Sequence, residues 1–472
     1  MTLTRSLERA IEGGLLFILA GTPLAFGSAP SVIHLAVQML VFFIFFLYGI
    51  RQCLIDSSSP PGFSPYSFRS FFLRYPFVIP FLLWIGWGLV QMIPLPLAGI
   101  RVVSPQAHEI YFTILGGGSG GGHPLSLSSF DTALASQEAV TCGLLFYLVG
   151  TYSRFPSASN LPKTPTPDPF FNVLLLTIAV TVGFQAFYGL WEYFTDPQQQ
   201  IFFFPRSIAV KGAAGTFTNP NHFANYLVLF FPLLFSWMIL PKEGRSFCGR
   251  GILLATVLSG MAAAVVASHS LMAIFVGAVA VLLLGLSLLW LRASQKSLVL
   301  LLGLLGLGGL FLVFIDPGFA SFQRQLHPLF PDYSTSRLRV WKDSFRIIQD
   351  FPWTGTGLGT FQFIFPKYSS VPVLPRFHHA HNDWLELLVE TGILGSGLMA
   401  TAIVLFFVTY GKHLPRLHPG IRPLGFGVLI SLVSFMIHSV AEFNFYIPAN
   451  AYSFTIVLGM GLRLNEMAKH EP

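Results

Sequence analysis

The sequence predicts an all-α protein that crosses a membrane many times. Of its 472 residues, 53% are hydrophobic and only 10% are charged, and the mean hydropathy is +0.66. A soluble domain carries about a quarter charged residues, so composition alone excludes an ordinary water-soluble globule. The apolar residues also fall into long unbroken runs. Measured against the roughly 20 apolar residues that a bilayer core requires, these runs give about twelve spans. They lie near 12–28, 31–50, 76–93, 136–152, 170–191, 221–240, 252–268, 271–291, 298–315, 385–410, 424–443 and 447–462.

The first run follows Arg5 and Arg9 and has the form of a signal peptide, but no small-residue cleavage site precedes the second run, so it is read as a retained helix. The GGGSGGGHP stretch at 116–124 reads as a flexible outer linker before the fourth span. The Pro- and Ser-rich stretch at 155–169 reads as an inner linker after it. The sixth span opens at GTFTNPNHFANYL, with Asn219 as the cap and Pro220 at the first helical position. The seventh and eighth are separated only by the turn at Ser268, His269 and Ser270.

Charge orients the spans. With the N-terminus inside, the inner connections and both termini hold 17 of the 27 basic residues, whereas the short outer connections hold only Arg101, Arg206 and Lys211. Both termini are therefore expected in the cytoplasm. The other seven (Arg324, Arg337, Arg339, Lys342, Arg346, Lys367 and Arg376) share one long outer segment, 316–384. Long loops are largely exempt from the charge rule, which permits this enrichment without explaining it. A solvated basic surface and an anion site both remain open. The cysteines add little: Cys53 and Cys248 fall on inner connections and Cys142 inside a span, with no outer disulfide and no zinc spacing expected.

Within the outer segment, Leu338, Trp341, Phe345 and Ile348 recur at helical spacing, so SRLRVWKDSFRIIQD is expected to be an amphipathic helix. Arg337 and Arg339 stand at its start, with Asp343 as a possible partner four residues after Arg339. Gly355, Gly357 and Gly359 form a turn after it. No strand precedes them, so a dinucleotide site is rejected. Next comes RFHHAHNDWLELLVETGILG, residues 376–395. Asp383 and Glu386 have capping-box spacing at the start of the tenth span, which places His379, His381 and Asn382 just outside a helix N-terminus. Such a terminus favours an anion and disfavours a protonated imidazole. A histidine there is either an interfacial cap or a neutral base ready to accept a proton.

These motifs resemble those of the O-antigen ligase and O-antigen polymerase superfamily of bacterial envelope glycosyltransferases. The G-T-F-x-N-P-N helix start is Gly215 to Asn221, and R-x-x-x-W is Arg337 with Trp341. The P-x-x-G-x-G-x-G-x-F turn is Pro352 to Phe361, and H-x-H-N with L-x-x-x-x-E-x-G-x-x-G runs from His379 to Gly395. The resemblance covers residues 170–460. It implies an inverting, metal-independent transferase of GT-C-like architecture that needs no cofactor. The implied donor is a glycan on undecaprenyl diphosphate, and the implied acceptor is a glycan or lipid A-core. The enzyme would sit among lipid in the bacterial inner membrane, facing the periplasm, with no nucleic-acid partner.

By the same resemblance His381 is the base, with His379 as its substitute. Arg337, with Arg339 beside it, binds the diphosphate. The second family arginine has no clear match: Lys211 and Arg206 are the nearest cations. Asn219, Asn221, Asn382 and Gly357 shape the site. The chain divides into N-terminal helices, 1–169, and a ligase-like region, 170–465. Two alternatives stand beside this reading. One is a protein O-oligosaccharyltransferase. The other is a transporter sharing the domain, for which Glu192, His269, His438 and Glu442 are candidate ionisable residues, each near a span end.

Overall fold

The computed structural model describes residues 2–28, 30–56, 71, 74–114, 121–152, 169–195, 200–202, 204–205, 212–240, 247–292, 295–303, 333–370 and 377–469. Its helices are α1 (Thr2–Leu24), α2 (Ser31–Asp56), α3 (Val78–Gln91), α4 (Leu97–Val103), α5 (Pro105–Ile114), α6 (Ser129–Thr151), α7 (Pro169–Thr195), α8 (Pro220–Met238), α9 (Phe247–Ala267), α10 (Leu271–Trp290), α11 (Tyr333–Asp350), α12 (Phe361–Tyr368), α13 (Asp383–His413), α14 (Arg422–His438) and α15 (Pro448–Lys469). Among the described residues the only strands are a two-residue pair, Gln200–Ile201 against Phe204–Pro205.

Among the described residues, six helices are long and apolar enough to cross a membrane: Ser31–Ile55, α6, α7, Gly249–Ala267, α10 and Asp383–Arg416. Helices α3 and α14 are shorter apolar helices. The chain is thus an all-α polytopic membrane protein. The packing shows why lipid is the solvent. Helix α10 buries Ala273, Val276, Ala280, Leu284 and Leu288 at three- and four-residue spacing. Phe275, Leu282, Leu286 and Leu289, on its other faces, are more than half exposed. A helix that is apolar on every face belongs in hydrocarbon. The expected ninth span, 298–315, falls outside the described residues from 304 onward.

Helix α8 packs along α14, α6 along α15, α7 along α9, and α3 along α13. At one end of the bundle Arg51 pairs with Glu8 and Arg74 with Glu466, each at 2.9 Å. At the other end a smaller core gathers Ile100, Ala107, Val340 and Phe361 from α4, α5, α11 and α12, with Phe351 just after α11. The amphipathic α11 was expected; α4 and α5 were not. They are short, α4 follows Pro96 and α5 begins at Pro105, and neither carries a long periodic pattern. The Gly-rich linker also needs correction over its second half. Residues 115–120 lie outside the described residues, but His123 and Leu95 exchange two backbone hydrogen bonds of 2.9 and 2.8 Å, so the chain is fastened there.

The glycine-rich turn is a clasp on α13. That helix breaks at Gly392 (φ 62°, ψ −171°), which strips carbonyls of their intrahelical donors. Thr356 N–H donates to Val389 O at 3.0 Å and Gly357 N–H to Glu390 O at 2.9 Å, while Ile393 N–H returns to Pro352 O at 2.8 Å. Gln91 of α3 ties both strands of the clasp, donating to Thr354 O at 2.8 Å and to Glu390 O at 2.9 Å. A Cβ at Gly355 (φ 66°) would lie 2.3 Å from Glu390 O. Gly355→Ala therefore adds left-handed strain, worth about 1–3 kcal/mol, to a clash with backbone. The variant is expected to melt at lower temperature in detergent and to elute partly aggregated. An unchanged melting curve would show that the clasp does not brace α13.

Candidate functional site

The cluster lies where the N-termini of α8, α13 and α15 and the C-terminus of α14 meet, roofed by α11. Arg337 and Trp341 are four residues apart and so share a face of α11. Arg337 Nη2 donates to Glu442 Oε1 at 2.6 Å and Nη1 to Ala441 O at 2.9 Å. Trp341 Nε1 donates to Ala380 O at 3.0 Å, which fixes the histidine loop beneath the same helix. The R-x-x-x-W spacing thus holds two different segments with one helical turn.

The cap of α13 is Asn382, whose side chain accepts from Leu385 N–H at 3.0 Å. The capping-box reading is therefore displaced by one residue. Asp383 turns away to accept from the N–H groups of Asn444 and Phe445, at 2.9 and 3.3 Å. Glu386 reaches back past the cap, bonding His379 Nδ1 at 2.8 Å and accepting from Ala380 N–H at 2.7 Å. His381, at φ 51°, turns its ring the other way, and its Nδ1 lies 3.1 Å from Glu442 Oε2. The result is two imidazole–carboxylate pairs on one loop. In each, an Nδ1–H given to a carboxylate leaves Nε2 as the lone-pair atom, the arrangement a general base uses.

Phe443 stands between the two rings. His379 stacks on it, with centroids 4.4 Å apart and planes 19° apart, whereas His381 meets it edge-on at 4.9 Å. Both carboxylates are 1% exposed, while the His379 and His381 side chains are 27% and 20% exposed, so the rings are partly exposed and their partners are not. Burial pushes the Glu442 carboxyl up. The hydrogen bond to His381 and the charges of Arg337, His381 and His222 more than offset this, and the group is held ionised below the usual carboxylate range. Burial, only partly countered by the charge of Glu390, lowers His379 to about 4, so its ring is neutral near neutral pH.

Asn219 caps α8 by accepting from Asn221 N–H at 2.8 Å, and the Asn221 amide donates to Glu442 Oε1. The second helix mouth is therefore joined to the first through Glu442. Sequence reasoning gave Glu442 only to the transporter alternative, and gave Phe443 no role. No motif surrounds them, and Glu442 lies 105 residues from Arg337 along the chain. Arg339 is exposed and lies outside the cluster. The partner proposed for it, Asp343, instead accepts from Arg346 at 3.4 Å and from the backbone and hydroxyl of Ser370. Gly357 sits in the clasp with Ser126, away from the histidines. Arg206 and Lys211 lie outside the described residues.

Residues 254–400 match the family model described as O-antigen ligase. The matched stretch contains Arg337, His379, His381 and Asn382; Asn219, Asn221 and Glu442 lie beyond it. No curated protein matches the chain.

Proposed function

We propose that this protein is a glycosyltransferase that moves a glycan from undecaprenyl diphosphate to an acceptor hydroxyl, as an O-antigen ligase or polysaccharide polymerase does. The observation that carries the reading is the meeting of Arg337 with two imidazole–carboxylate pairs at several helix mouths, with Arg337, His379 and His381 within the stretch that matches the O-antigen ligase family. Arg337 and the helix N-termini stabilise the charge that develops on the leaving diphosphate. His381 takes the proton from the acceptor hydroxyl as its oxygen bonds to the anomeric carbon. The carbon–oxygen bond to phosphate breaks, and its electron pair leaves with the diphosphate. A single displacement of this kind inverts the anomeric centre and requires no metal. About twelve spans of GT-C-like arrangement, residues 1–169 leading into a ligase-like 170–465, complete the proposed architecture.

The test is turnover by the purified protein in liposomes with a lipid-linked glycan and candidate acceptors. Release of lipid diphosphate together with a lengthened acceptor is expected. Export of intact lipid-linked glycan without transfer would favour the transporter reading. The site is expected to face the periplasm of the inner membrane. In a chain whose native cysteines are replaced by serine, Lys367→Cys should react with an impermeant maleimide from outside, and Arg416→Cys only after lysis. Both residues are exposed. The reverse pattern would sink the periplasmic placement.

A further inference from the structure

We infer that Glu442 is a shared counter-ion that ties occupancy of the Arg337 subsite to proton acceptance by His381. The inference rests on the roles proposed above for those two residues. One buried carboxylate holds three donors: Arg337 Nη2 and the Asn221 amide on Oε1, and His381 Nδ1 on Oε2. A single negative charge therefore serves one permanent cation and one ring that must become a cation during the reaction. The neighbouring acids are engaged elsewhere. Asp383 accepts from the backbone of Asn444 and Phe445, and Glu386 holds His379 and Ala380. The remaining titratable groups facing the cluster are His222 from α8, His438 from α14, and Tyr446, whose hydroxyl donates to Glu390.

With no donor bound, Arg337 and a protonated His381 compete for the same carboxylate. A lipid-linked diphosphate brings two phosphodiester charges of its own, and Arg337 then balances part of that charge. Glu442 is left to balance the imidazolium. The base is thus strongest when the donor is in place, and by linkage a proton on His381 tightens donor binding by the same factor. Glu442 is a positioning residue: it touches neither the anomeric carbon nor the acceptor oxygen, and acts through the ring and the guanidinium.

The probe is an undecaprenyl-diphospho-monosaccharide, whose phosphodiesters do not titrate near neutrality, offered without acceptor. Calorimetry in buffers of different ionisation enthalpy counts the protons exchanged on binding. The wild type is expected to take up a fraction of a proton per donor bound. Glu442→Gln and His381→Ala are expected to bind the donor without that uptake. Uptake persisting in either variant overturns the inference, as does tight binding to the wild type with no uptake. If Glu442→Gln does not fold, His381→Ala decides alone. Binding that is absent, or indifferent to Arg337→Ala, would instead reject the proposed function.

Discussion

Arg337→Ala will abolish glycan transfer, with a loss of at least the 10²–10³ typical of removing one preorganised charge-stabilising donor. The guanidinium is braced by Ala441 O and Glu442 at the foot of α11, so it meets the substrate from a fixed direction. Arg337→Lys will recover transfer only in part. An ammonium carries the charge, but it lacks the planar fork that can hold the brace and a phosphate together. Arg337→Ala also strands a buried carboxylate, a change that destabilises by itself. The double variant Arg337→Ala/Glu442→Gln removes that stranded charge and should restore a monodisperse protein without restoring transfer. Transfer at the wild-type rate in Arg337→Ala would move the diphosphate role to another cation of the 316–384 segment.

Much of this architecture is legible before any coordinates. Membrane spans are read from long apolar runs because the bilayer forces backbone hydrogen bonds to close within each helix, and nothing tertiary is needed to predict that. Asn219 and Asn382 were legible as caps, or as neighbours of caps, for the same local reason. The helices that sequence reasoning missed, α4 and α5, depend on the small core they share with α11 and α12, and so on residues more than two hundred positions away. Glu442 shows the limit most clearly. Its carboxylate is the centre of the cluster, yet its neighbours in sequence, Ala441 and Phe443, give no pattern. Only the meeting of α8, α11, the loop before α13 and the α14–α15 connection brings its partners to it. The glycine-rich turn was legible as a turn, but its purpose was not, because the break it supports at Gly392 lies in a different element.

His381→Ala will leave the protein folded and able to bind the lipid-linked donor, yet will cut turnover by about 10²–10⁴, the usual contribution of a general base. The structure offers two candidates, since His379 and His381 each present a partly exposed ring with a buried carboxylate behind it. The pH–rate profiles of their single variants separate them. A base works only while unprotonated, so the rate falls once pH drops through the value at which its ring takes up a proton. Burial, which outweighs the charge of Glu390, lowers His379 to about 4, so with His379 as the base the rate would hold down to about that pH. An acid limb that is lost from the residual activity of His381→Ala is the expected outcome. His379 would then be left to present a neutral, Phe443-stacked ring to the substrate, and His379→Ala should raise KM more than it lowers kcat. A limb near pH 4 that disappears in His379→Ala would hand the role to the His379–Glu386 pair. Turnover at the wild-type rate in both single variants would end the histidine-base mechanism altogether.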